Sequence, residues 1–134
     1  MTVPRAVSAA TAWLGAELVS AADGEAVVTM PTRVEMANRR EVVHGGFIAF
    51  LADSAMGAAM SSSLPDGERH YSFDLKVSFI ATGRIGERLT AVAKVLHSGH
   101  RTGVAECRVE GEDGRLVATA TATFIVKLPS GNNE

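Results

Sequence analysis

Residues 38–64 read NRREVVHGGFIAFLADSAMGAAMSSSL, and this stretch decides the fold. From Gly45 onward it is the longest apolar tract in the chain. It carries no Gly-Pro punctuation until Leu-Pro-Asp-Gly follows three consecutive serines. The pattern predicts a helix over 45–62 that is apolar nearly all round, which requires burial on most sides. Its small residues (Ala49, Ala52, Ala55, Gly57, Ala58, Ala59) let other backbone approach closely. Asp53 alone interrupts the tract. A carboxylate among apolar neighbours loses hydration, has poor helix propensity and needs a compensating reason to be there. A bilayer is an unsuitable home for this helix, because a central Asp costs roughly 2.5–3.5 kcal/mol on insertion.

Outward from the helix, strands are expected. Residues 70–80 alternate, with Tyr71, Phe73, Leu75, Val77 and Phe79 on one face and Ser72, Asp74, Lys76 and Ser78 on the other. Residues 87–97 and 102–110 follow, separated by Ser98-Gly99-His100. Glu112-Asp113-Gly114 is a hairpin turn leading to a last strand over 116–127, with Leu116, Ala118, Ala120, Ala122, Phe124 and Val126 inward and Val117 outward. Upstream, 5–13 is a short helix. Residues 17–20 and 25–30 are strands joined by Ala-Asp-Gly, and 32–43 is a loop. Long strands with short turns make an antiparallel sheet, and one apolar helix must pack on it. The expected class is α+β, in one domain over 1–134 with a polar tail from about 129. The helix is more apolar than one sheet face can cover, so a second subunit is expected on the rest.

Composition narrows the function. The 134 residues carry a net charge of −2 and 5% aromatics, which disfavours nucleic acid and anionic membrane as partners. The single cysteine, Cys107, excludes an internal disulfide and fits a reducing, cytoplasmic setting. It lies in an alternating segment as a small buried hydrophobe rather than a nucleophile. The four histidines lack metal-ligand spacing, so no metal or cofactor is expected.

Asn38, His44-Gly45-Gly46 and Asp53-Ser54-Ala55, at these spacings, resemble the hotdog-fold acyl-CoA thioesterases of the PaaI-like, phenylacetate-degradation type. Gly15-Ala16-Glu17-Leu18, Lys76-Val77-Ser78-Phe79-Ile80 and Gly86-Glu87 extend the similarity over nearly the whole chain. The resemblance implies an antiparallel sheet wrapped around one long central helix, a thioester hydrolase, and a homodimer or dimer of dimers with its site between subunits. Asp53 matches the catalytic carboxylate, as general base or nucleophile. Gly45 and Gly46 match the backbone N–H groups that polarise the thioester carbonyl. Asn38 matches a residue that orients substrate or water, His44 one that supports the same site, and Ser72 one that helps hold the attacking water.

The residues agree chemically. A helix N-terminus presents free N–H groups and a positive dipole end to a developing oxyanion, each such donor being worth roughly 3–4 kcal/mol. Desolvation is expected to make Asp53 a stronger base. His44, at the positive helix end, is expected to be a neutral hydrogen-bonding group. Strand alternation sets Ser72 opposite the apolar face. Arg84, Arg88, His100 and Arg101, in or beside turns, are candidates for the phosphates of coenzyme A, which arrives as part of the acyl-CoA substrate. A hotdog enoyl-CoA hydratase or dehydratase, and a non-catalytic acyl-CoA binding module, are the alternatives. His44 and Asp53 are nine residues apart, about 13 Å along a helix. That is too far for one thioester to meet both ends, so Asp53 is expected to work with the Gly45–Gly46 end of another copy.

Overall fold

The protein is described by a computed structural model covering residues 7–128. The start of the first expected helix and the expected polar tail lie outside these residues. The elements in chain order are α1 (Ala9–Leu14), β1 (Glu17–Ala22), β2 (Glu25–Pro31), a 3-10 turn (Val34–Met36), α2 (Gly45–Ser63), β3 (Arg69–Phe79), β4 (Arg88–Ser98), β5 (Thr102–Glu110) and β6 (Leu116–Leu128). Six strands form one antiparallel sheet in the order β1-β2-β4-β5-β6-β3. With α2 packed on one face, this is the hotdog architecture.

The elements follow from local chemistry. Asp23 and Gly24 both take positive φ (53° and 81°), as a two-residue hairpin loop demands. The α2 residues Ile48, Leu51, Ala52, Ala55, Met56, Ala59 and Met60 are buried, a three-four spacing that gives one stripe against the sheet. Alternate residues of the strands meet that stripe: Ala26, Val28 and Met30 from β2, Leu89, Ala91 and Ala93 from β4, Ala105, Cys107 and Val109 from β5. The hydroxyls of Ser62 and Ser63 donate back to the carbonyls of Ala59 and Met60, both at 2.7 Å. Ser62 Oγ also accepts the Gly24 N–H at 2.9 Å, tying the helix end to the β1–β2 turn.

Among the described strands β3 does not pair with β4, which follows it; it crosses to the far edge and pairs with β6. The expected alternation needs correction at Ser72 and at Val117. Ser72 stands opposite Phe124, and the next pair is Asp74 with Thr123, so Phe73 is an extra residue in β3. This bulge switches the strand's faces. Upstream of it Ser72 shares the helix-side face with the buried Phe124; downstream Leu75 and Val77 share that face with Ala122 and Ala120. A similar shift between β5 and β6 buries Val117, which alternation assigned outward.

Candidate active site

The front of α2 is assembled by a short hairpin. His44 N–H donates to the Met36 carbonyl (2.8 Å), Ala37 bridges Val43, and Asn38 N–H donates to the Val42 carbonyl (2.9 Å). The Asn38 side chain closes the tip, its Oδ1 accepting from the N–H of Arg40 (2.8 Å) and of Val42 (3.4 Å). Its carboxamide N–H groups make no hydrogen bond among the described residues. Asn38 therefore builds the turn and still has donors to offer.

His44 is the N-cap of α2, its Nδ1 accepting the Gly46 N–H at 3.0 Å. An accepting Nδ1 leaves the proton of a neutral ring on Nε2. The capping bond occupies one of the two glycine donors. Gly45 N–H has no hydrogen-bond partner among the described residues, so it is the donor available to an incoming carbonyl. A Cβ at Gly45 would sit 2.9 Å from Phe79 Cζ. Glycine here lets the ring of Phe79 lie over the start of the helix.

Asp53 lies two turns further along, half-buried, outside the stripe of α2 that is fully buried. Its carboxylate makes no hydrogen bond or ion pair among the described residues. One residue near it was missed by the sequence reading. His70, at the start of β3, packs edge-on to Phe124 with centroids 5.3 Å apart. Its Cε1 is 3.6 Å from where a Gly57 Cβ would be, and Ser61 Oγ and its Nε2 share a hydrogen bond of 2.7 Å. Asp53, Gly57 and Ser61 recur every four residues, so they form one helix stripe, and the imidazole lies across it. Burial holds the His70 pKa below its ordinary value, opposed by the negative charge of Asp53 and by the Gly57 carbonyl. Nδ1 of His70 is buried and makes no hydrogen bond of ordinary geometry. Sequence spacing gave no sign of this contact, because it depends on the start of β3 docking against α2.

One chain does not bring all the expected site residues together. Asn38, His44, Gly45 and Gly46 cluster at the front of α2. Asp53 lies eight residues beyond Gly45, about 12 Å along the axis. Ser72, by virtue of the bulge, shares the helix-side face of β3. Arg84 bridges Val42 beside the hairpin, and its guanidinium is 3.5 Å from Asp113. Arg88 opens β4, whereas His100 and Arg101 lie beyond its other end, in the turn to β5. The four basic residues thus do not form one site within a chain.

Other chemistry finds little footing. Burial pushes the Cys107 thiol up to about 12, outweighing a backbone hydrogen bond from Val92, so the sulfur stays protonated and inert. Among the described residues no group of three or more His, Cys, Asp or Glu could hold a metal ion. No described helix is long and apolar enough to cross a membrane.

Comparison with known proteins meets this geometry at residues 41–118, which match the model of the thioesterase superfamily. The chain belongs to that family. It is 34% identical over 105 residues to the acyl-coenzyme A thioesterase PaaI of Escherichia coli, covering 78% of this chain and 73% of that protein. A conserved protein from Pseudomonas aeruginosa superposes with a TM-score of 0.85 at 36% identity, over 90% of this chain and 94% of that one. A hypothetical thioesterase from Streptococcus pneumoniae, solved with coenzyme A, gives a TM-score of 0.79 at 25% identity, over 87% and 88% of the two chains. The matched span includes the helix front, Asp53, His70 and Ser72.

Proposed function

We propose that this member of the thioesterase superfamily hydrolyses acyl-CoA thioesters to a free acid and coenzyme A, with Asp53 as the catalytic carboxylate. The observation that carries the assignment of Asp53 is a half-buried carboxylate left without a hydrogen bond or ion pair among the described residues. A structural acid at that depth recruits partners; one kept bare is available to a reactant. The resemblance to PaaI and to the coenzyme A complex supplies the substrate class.

In this reading the thioester carbonyl oxygen takes the Gly45 N–H, and His44 caps the helix so that this donor stays aimed outward. Asp53 of a second copy removes a proton from water as the water oxygen bonds to the carbonyl carbon. Negative charge collects on the carbonyl oxygen at the positive end of α2. When the tetrahedral centre collapses the C–S bond breaks, and the departing thiolate takes up a proton. If Asp53 attacks directly instead, its own oxygen enters the acid product. A single turnover in labelled water distinguishes the two roles.

The pairing of copies is part of the proposal. On β3, an edge strand, Tyr71, Phe73, Leu75 and Phe79 are exposed, and such an edge is normally covered. A homodimer formed there, or a dimer of dimers, would set Asp53 of one copy near the helix front of the other. The reaction in this scheme draws on no cofactor, and the reduced Cys107 fits a cytoplasmic protein. The deciding experiment is thiol release from a panel of acyl-CoAs by wild type and Asp53→Asn. Loss of about 10²–10⁴-fold in kcat is expected on removing a general base; equal rates would sink the assignment. Sedimentation of the same samples reports the dimer or tetramer.

A further inference from the structure

The hairpin over residues 36–44 ends in Arg39-Arg40-Glu41, and the structure fixes this tip with care. Four hydrogen bonds within residues 38–42 hold it: Asn38 N–H to the Val42 carbonyl, Glu41 N–H to the Asn38 carbonyl (3.0 Å), and the two N–H groups on Asn38 Oδ1. Glu41 adopts φ 63° to close the turn. An isolated bridge from Val42 to Arg84 anchors the arm to the β3–β4 connection.

Arg39 and Arg40 are exposed, and neither has an ion-pair partner among the described residues. Four other arginines are matched with acid, Arg33 with Glu35, Arg84 with Asp113, Arg108 with Glu110, and Arg115 with Glu87 and Asp113, whereas among the described residues Arg88 and Arg101 are not. Unmatched exposed arginines alone would be ordinary surface. Here they share one open cleft with Ala37, Asn38 and His44, and His44 abuts the free Gly45 N–H. The tip projects about three strand residues beyond His44, roughly 10 Å, and the arginine side chains extend further. That reach is comparable to the arm joining a thioester sulfur to the phosphates of coenzyme A. Guanidinium groups suit phosphate geometry and cannot lose their charge. Glu41 leaves the tip with a net positive charge on a chain that is negative as a whole.

We propose that Arg39 and Arg40 form the phosphate-binding site for the coenzyme A part of the substrate, on the same subunit that polarises the carbonyl. This rests on the acyl-CoA reading above. It replaces Arg84, Arg88, His100 and Arg101 as one cluster, since His100 and Arg101 lie at the far end of β4.

The test is calorimetric titration of the full chain with coenzyme A, dephospho-coenzyme A and pantetheine. Wild type should bind coenzyme A more tightly than pantetheine. In Arg39→Ala/Arg40→Ala that preference should fall by about tenfold or more, as for charge-assisted hydrogen bonds lost. Arg39→Lys/Arg40→Lys should retain part of it. If the loss is confined to coenzyme A and absent with dephospho-coenzyme A, the site takes the 3′-phosphate; if it is seen with both nucleotides, it takes the diphosphate. An unchanged preference overturns the proposal, as does an equal loss for coenzyme A and pantetheine, which would make the tip merely structural. Failure of wild type to bind coenzyme A or to turn over any acyl-CoA overturns the parent reading, and this site with it.

Discussion

Asp53 and Glu87 are both removed from full solvent contact, and the chain treats them in opposite ways. Glu87 is buried at the end of the sheet. Its Oε2 accepts from the Arg84 N–H (2.6 Å) and from Arg115 Nη2 (2.5 Å), and its Oε1 from the Glu112 N–H (3.0 Å). Burial would raise its pKa, but the Arg84 and Glu112 N–H groups and the Arg115 guanidinium outweigh it and hold the carboxyl below the usual range. That carboxylate locks three connections together, the β3–β4 loop, the start of β4 and the β5–β6 turn. Asp53 has no such partners among the described residues. The contrast separates an acid that holds the fold from one left free to react.

The largest effect that would break this contrast is on rate. Asp53→Asn should cut thiol release by about 10²–10⁴-fold while changing unfolding free energy by no more than about 0.5 kcal/mol, because no partner among the described residues is lost. A large destabilisation in a denaturant melt would make Asp53 structural after all. Next in size, Gly45→Ala should lower kcat/KM by about tenfold or more by placing a methyl where the carbonyl approaches. The ring of Phe79, half-exposed, can swing away, so chemical denaturation should register under about 1 kcal/mol. Glu87→Gln should do the reverse. It removes the more buried of the two carboxylates that pair with Arg115, leaving only Asp113, and costs about 1–2 kcal/mol of stability, with kcat per folded molecule unchanged. Since the folded-state pKa of Glu87 is lowered, its stabilisation is present above the ordinary glutamate value and is lost as pH falls through the lowered one. Acid melts of wild type and variant should therefore converge.

The smallest effect concerns His70. Its folded-state pKa is also lowered, but for a base the sign is different. Neutral in both states at high pH, it contributes nothing there; as pH falls below the ordinary histidine value the unfolded chain takes the proton more readily, and stability drops until the lowered value is passed. His70→Phe preserves the packing against Phe124 and removes this drop. The melting temperature difference between pH 7.5 and pH 5 should narrow by about 1–3 °C. An unchanged difference would mean that another group carries the acid sensitivity.

Much of the fold was legible in the sequence because periodicity reports burial directly. The α2 tract, the alternation of β4 and β5, and the Asp23–Gly24 turn carry their own signals. What was not legible depends on pairing. Nothing in residues 80–87 announces that β3 crosses to the far edge, since a short loop is compatible with a neighbour or a crossover. A bulge is invisible to a pattern that assumes a constant period of two, which is why alternation puts Ser72 on the wrong face and Val117 outward. The site was legible where it is contiguous, from Asn38 to Asp53. His70 could not be seen near Asp53, because that proximity exists only after β3 has docked on α2.

The extra residue at Phe73 has a consequence for how this chain can vary. It joins two half-strands in opposite phase, a polar half with His70 and Ser72 and an apolar half with Leu75 and Val77, and turns both toward α2. Substitutions within either half can be accepted singly. Deletion of one residue between them cannot, because it would rotate a whole half outward at a stroke. The length of this strand, more than its composition, is the constraint inherited with the site.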